Sequence, residues 1–95
     1  MFLVLLRFAA GKPRASELLP GHNEWIKRGF DEGVFLLTGS LRPSLGGAIV
    51  AHQVSLADLQ SRINEDPFVA QGVVTAEILE IAASRADSRL SFLLA

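Results

Sequence analysis

Few residues of this 95-residue chain can move protons near neutrality: it has two histidines and no cysteine. His22 is the first candidate, because an unperturbed imidazole titrates at about pH 6.5 and suits general acid or base work. Asp66, in the turn Asp66-Pro67-Phe68, is the second. A carboxylate that reached the imidazole would fix its tautomer and raise its pKa, an arrangement worth roughly 10²- to 10⁴-fold in rate. Each residue also has a plainer reading. His22 is a polar residue at the edge of an apolar helix face, and Asp66 is an aspartate before proline that caps backbone groups at a turn. Spacing leaves these alternatives open and does not show that the two side chains meet.

Three other positions are candidates for binding a substrate. Arg7 interrupts the most apolar segment, where a guanidinium needs a carboxylate, a backbone carbonyl or a bound anion. It is either a substrate contact or half of a structural ion pair. Ser40 has no nucleophile-elbow context and enters as a lining residue. Gly47, in Gly46-Gly47, lacks the G-x-G-x-x-G spacing of a dinucleotide loop, so it marks a turn or bulge, or a close approach of ligand to backbone. His52 lies near a strand end. Two histidines without cysteine give weak grounds for a transition-metal site, and no cofactor motif is present, so neither metal nor cofactor is expected.

Composition narrows the partners. Nine basic against ten acidic residues give a net charge of -1, so no global field gathers phosphates or anionic lipid. The segment Ala48 to Val54 also lacks the basic and aromatic residues of an RNA-binding sheet. Nucleic acid is therefore not an expected partner. No apolar run approaches the ~18 residues that span a bilayer. Met1-Phe2-Leu3-Val4-Leu5-Leu6 lacks a positive n-region and is broken by Arg7, so it reads as a buried strand rather than a secretion signal. A soluble, cytoplasmic protein is expected.

The elements that must position these residues follow from periodicity. Phe2 to Phe8 reads as a strand covered on both faces. Leu18, Leu19, Trp25, Ile26 and Phe30 recur at helical spacing from about Arg14 to Asp31, with His22 on the same stripe. Pro20 places the start of regular helix near Leu19, and Gly33 ends it as a left-handed cap. Val34 to Gly39 and Ala48 to Val54 form a hairpin around Arg42-Pro43-Ser44. Ser55, with Asp58 three later, begins a second helix. Pro67 stops it at Asp66, and Val73 to Ile81 is the fourth strand.

Strand, helix, strand, strand, helix, strand is an α+β, ferredoxin-like βαββαβ order. Right-handed crossovers then place strands one and three at the centre of an antiparallel four-stranded sheet, with two helices on one face. The other face stays bare, although Leu3 and Leu5 point to it. With 49% apolar residues and a mean hydropathy of +0.34 in so small a chain, that face is best buried by a second copy, which predicts a homodimer. Residues 1–83 make the domain. The polar stretch from Ser84 and the apolar Leu90-Ser91-Phe92-Leu93-Leu94-Ala95 make a C-terminal tail, 84–95, expected to contact a partner chain or build a higher homo-oligomer.

These residues together resemble a known family. Leu3-Val4-Leu5-Leu6-Arg7-Phe8, a histidine in the first helix, Gly39-Ser40-Leu41, Gly46-Gly47-Ala48-Ile49-Val50, and Asp66-Pro67-Phe68-Val69 followed by Gly72-Val73-Val74 resemble the YciI-like (YCII-related) family of the dimeric α/β-barrel superfamily. The resemblance runs from about Phe2 to Ala82, and the Asp-Pro-Phe turn is its most specific piece. It implies a ferredoxin-like protomer whose sheets pair into a dimeric barrel, with a pocket between helices and sheet. It implies also that His22 and Asp66 match the pair usually proposed as the family's active site. Ser40 departs from the family's frequent Gly-Pro-Leu, and the apolar tail lies outside its common core.

The leading expectation is a cofactor-independent enzyme in which His22, oriented by Asp66, moves a proton on a small, partly apolar ring compound. The reaction would be that of an isomerase, lyase or dehydrohalogenase-like enzyme. The alternatives are a non-catalytic small-molecule binding or assembly module and, more weakly, a cofactor-free oxygenase.

Overall fold

Alternation along the first strand decides the architecture. In the computed structural model, which describes residues 1–95, β1 (Phe2–Phe8) turns Phe2, Val4 and Leu6 into the core, while Leu3 and Leu5 face the opposite side and stay partly exposed. The remaining elements are α1 (Ala15–Asp31), β2 (Phe35–Leu41), β3 (Gly46–Ala51), α2 (Leu56–Asn64), the short α3 (Pro67–Ala70) and β4 (Val74–Glu80). The sheet order is β2-β3-β1-β4 with every pairing antiparallel. This is the ferredoxin-like α+β arrangement that the element order predicts. One core holds it: Val4, Ile49, Trp25, Leu59, Ile63 and Val73 are almost wholly buried between the helices and one sheet face.

Helix α1 begins earlier than the sequence suggests. A short 3₁₀ turn, Lys12–Arg14, runs into it, and Pro20 lies inside the helix. A proline there deprives the Ser16 carbonyl of its donor, but Ser16 and Pro20 are both exposed, so water can satisfy that carbonyl. The expected start near Leu19 is thus corrected to Ala15. At the other end Gly33 takes φ +75. The Gly33 N–H donates to the Phe30 carbonyl and the Val34 N–H to the Gly29 carbonyl, the paired bonds of a glycine-ended helix. The chain then drops directly into β2.

Ser55 caps α2, accepting from the Asp58 N–H at 3.1 Å. Asp66 does more than end a helix. It is the N-cap of α3, with Pro67 in the first helical position, where a missing N–H costs nothing. The sequence reading expected the stop but not the new start.

The second sheet face is uncovered and carries an apolar patch. Leu37 and Leu79 are exposed on it, and Leu3, Leu5 and Val50 are half-buried. The tail folds back on its own chain: a short 3₁₀ turn, Ser88–Leu93, precedes a bridge between Ala83 and Leu94, and Phe92 packs edge-on against His52 at 5.7 Å. Leu90, Phe92 and Leu94 nonetheless remain exposed. No helix is long and apolar enough to cross a membrane.

Candidate active site

The first turns of α1 and the cap of α3 bring the two leading residues together. His22 and Trp25 lie one turn apart on the buried side of α1. Trp25 donates from Nε1 to the Arg62 carbonyl at 2.9 Å, tying α1 to α2. One turn before it, the His22 ring stacks on Phe68 of α3, with centroids 4.0 Å apart and planes 5° from parallel. That stack fixes the imidazole plane. Its Nδ1 then lies 2.7 Å from Asp66 Oδ1.

Asp66 is 0% exposed, and its Oδ1 also accepts the Phe68 N–H at 3.0 Å. Its Oδ2 is sealed and has no hydrogen-bond partner. With Asp66 ionised the carboxylate can only accept, which puts the proton between the two side chains on Nδ1. In that tautomer the neutral imidazole has its lone pair on Nε2. That nitrogen has no protein partner and is not among the sealed, unpartnered polar atoms. The His22 side chain is 15% exposed, and it lines a cavity of about 340 Å³ between α1 and the sheet.

On the sheet side of this cavity Gly39, Gly46 and Gly47 bring main chain to the surface between Leu6, Phe8, Thr38 and Ser40. Ser40 pairs with Gly47 across β2 and β3, and Gly47 with Leu6 across β3 and β1, all on the helix-facing side. A Cβ on Gly47 would meet only the Gly39 carbonyl oxygen, at 3.3 Å, and otherwise enter open space. The missing side chain is room for a ligand. Gly46 is constrained differently, since its φ of +131 and the Leu6 carbonyl beside it exclude any side chain.

The five sequence candidates thus divide. His22, Ser40 and Gly47 line one cavity, and Asp66 stands directly behind His22. Arg7 does not join them. It follows the odd-numbered parity of Leu3 and Leu5 onto the bare sheet face, where it pairs with Glu77 at 2.6 Å. That pair places Arg7 as the structural alternative described and corrects its reading as a substrate contact at the cavity. Sequence reasoning missed Asn23, Thr38 and the stacking role of Phe68, all of which line the cavity. Phe68 had a usable signal, since it stands two residues after the capping Asp66, which accepts its N–H.

Fold and geometry define a ferredoxin-like α+β chain with a carboxylate-oriented histidine opening into a cavity. No family model and no curated protein sequence matches the chain. Among solved structures it is similar to 5-chloro-2-hydroxyhydroquinone dehydrochlorinase (TftG) from Burkholderia phenoliruptrix AC1100, in complex with 2,5-dihydroxybenzoquinone. The TM-score is 0.68 at 12% identity, over 85% of this chain and 93% of that one. The likeness shows the ferredoxin-like α+β fold.

Proposed function

We propose that this chain is a YciI-like, cofactor-independent enzyme in which His22 acts as general base and then general acid on a small, partly apolar ring compound. One observation carries the reading: Nδ1 is held at 2.7 Å by a buried carboxylate while Nε2 stands unpartnered at a cavity. A sealed His–Asp pair would favour a purely structural role; an open one favours chemistry.

The chemistry follows from the tautomer. Nε2 takes a proton from a ring carbon or hydroxyl, and Asp66 stabilises the imidazolium that forms. The electron pair left on the substrate then either expels a leaving group such as chloride or is reprotonated elsewhere on the ring by the same imidazolium. The first course is a dehydrohalogenase-like elimination or lyase reaction, the second an isomerisation. The similar fold of a dehydrochlorinase in complex with a dihydroxybenzoquinone supports the choice of ring compounds. Ser40, Gly47 and the apolar wall of Leu6 and Phe68 would hold the ring. The bare sheet face is assigned to a second copy of the chain, and the tail, 84–95, to an oligomer contact beside it.

The test is turnover of a panel of hydroxylated and chlorinated hydroquinones by wild type, His22→Asn and Asp66→Asn. Wild type should release chloride or isomerise at least one member, and either variant should lose roughly 10²- to 10⁴-fold. Wild-type rates retained by His22→Asn would remove the histidine from the reaction.

A further inference from the structure

The cavity beside His22 continues outward. A shallower hollow of about 600 Å³ shares Phe8, Ser40 and Gly46 with it, so the two form one cleft. Their electrostatics differ. The inner part is lined by no charged side chain other than the titratable His22, whereas Lys12 and Arg42 line the outer part, without any carboxylate. Lys12 Nζ stands 4.5 Å from the centroid of the Phe8 ring, a contact that steadies it over the passage between the two parts. Neither cation has an ion-pair partner, a state they share with Arg28 and Arg85, neither of which lines the cleft. Ser40 and Ser44 line the same hollow.

An anion in the inner cavity would lose its hydration with no fixed cation to meet it. At the mouth it would meet two. We propose that Lys12 and Arg42, with the Ser40 and Ser44 hydroxyls, form an anion subsite for the carboxylate of a ring compound whose ring lies in the inner cavity against His22. The ring's position rests on the proposed function; the carboxylate's does not. Arg7 was the one arginine whose placement in the sequence suggested an anion, but the cations positioned to receive one lie on the loops that flank the cleft.

The test is equilibrium binding of a matched pair, 2,5-dihydroxybenzoate and hydroquinone, by calorimetry. It is run on wild type, His22→Ala and the double variant Lys12→Gln/Arg42→Gln. Both cations are exposed, so the double variant should melt as wild type does. Wild type should bind the carboxylate probe roughly tenfold more tightly than hydroquinone at low salt. The preference should shrink as ionic strength rises, vanish in the double variant and persist in His22→Ala. Equal affinities in wild type, no binding of either probe at millimolar concentration, or a preference that survives in the double variant would overturn the subsite. A preference kept by His22→Ala, in a protein that turns over no ring compound, would uphold the subsite while the acid–base reading falls.

Discussion

Replacing Asp66 by alanine removes two interactions at once, and the structure sets their sizes. The first is the cap on α3, the 3.0 Å bond from the Phe68 N–H, worth about 1 kcal/mol. The second is the 2.7 Å bond from His22 Nδ1 to a charged acceptor, worth about 1.5 to 3 kcal/mol. Against these stands the cost of burying Oδ2 without a partner, on the order of 1 to 3 kcal/mol, which the alanine variant no longer bears. The net loss is about 1 to 2 kcal/mol. In a chain of this length it lowers the melting temperature by roughly 4 to 16 °C. Asp66→Asn should behave differently, because asparagine is an equally good cap and its carbonyl can still accept the Phe68 N–H. Its stability should stay within about 1 kcal/mol of wild type. Its amide can donate to His22 Nδ1, which would move the imidazole proton to Nε2 and abolish the base. Thermal melts of both variants, with long-range ¹H–¹⁵N spectra of the His22 ring, read these effects separately. An alanine variant as stable as wild type, or an Asp66→Asn ring that keeps its proton on Nδ1, would refute the reasoning.

Three further outcomes are expected. Gly46→Ala should destabilise the fold, since φ +131 alone costs a side-chain-bearing residue on the order of 1 to 3 kcal/mol before the collision with the Leu6 carbonyl; chemical denaturation measures it. The proposed pairing of two copies through the bare sheet face predicts a wild-type dimer and a Leu5→Glu monomer in sedimentation velocity; a monomeric wild type, or a variant that sediments with a dimeric one, would remove that face from the interface. The hydrogen bond from the Arg62 guanidinium, at 2.8 Å, holds the Glu32 carboxyl below its ordinary value of 4.5. A carboxyl lowered in the folded state contributes stability that is present above its ordinary value and is lost as pH falls through the lowered one. Glu32→Gln should therefore flatten the acid side of the stability curve, as read by urea titrations below pH 5.

The fold was legible because its signals are local and periodic. The parity of Phe2, Val4 and Leu6 against Leu3 and Leu5 fixes which face meets the helices, and Gly33 and Ser55 mark helix ends by backbone chemistry that any sequence carries. Pro20 misled for a physical reason. Its penalty depends on whether Ser16 faces water, which the helical stripe does not state. The site was less legible. Forty-four residues separate His22 from Asp66, and no local rule measures a contact across that span; the resemblance supplied the pairing. Asp66 is both a turn cap and the partner of the histidine, through one oxygen. Arg7 could be assigned only once β4 placed Glu77 beside it. The outer cleft with Lys12 and Arg42 needs the β1–α1 and β2–β3 connections to converge, so no spacing announces it.

The most direct measurement is a crystal structure with 2,5-dihydroxybenzoquinone soaked to saturation. The expected result is the ring in the inner cavity, one of its oxygens about 2.6 to 3.2 Å from His22 Nε2, and Nδ1 still held by Asp66. A ring bound elsewhere, or bound in the cavity with Nε2 out of reach of every ligand atom, would contradict the assignment of His22 as the acid–base group.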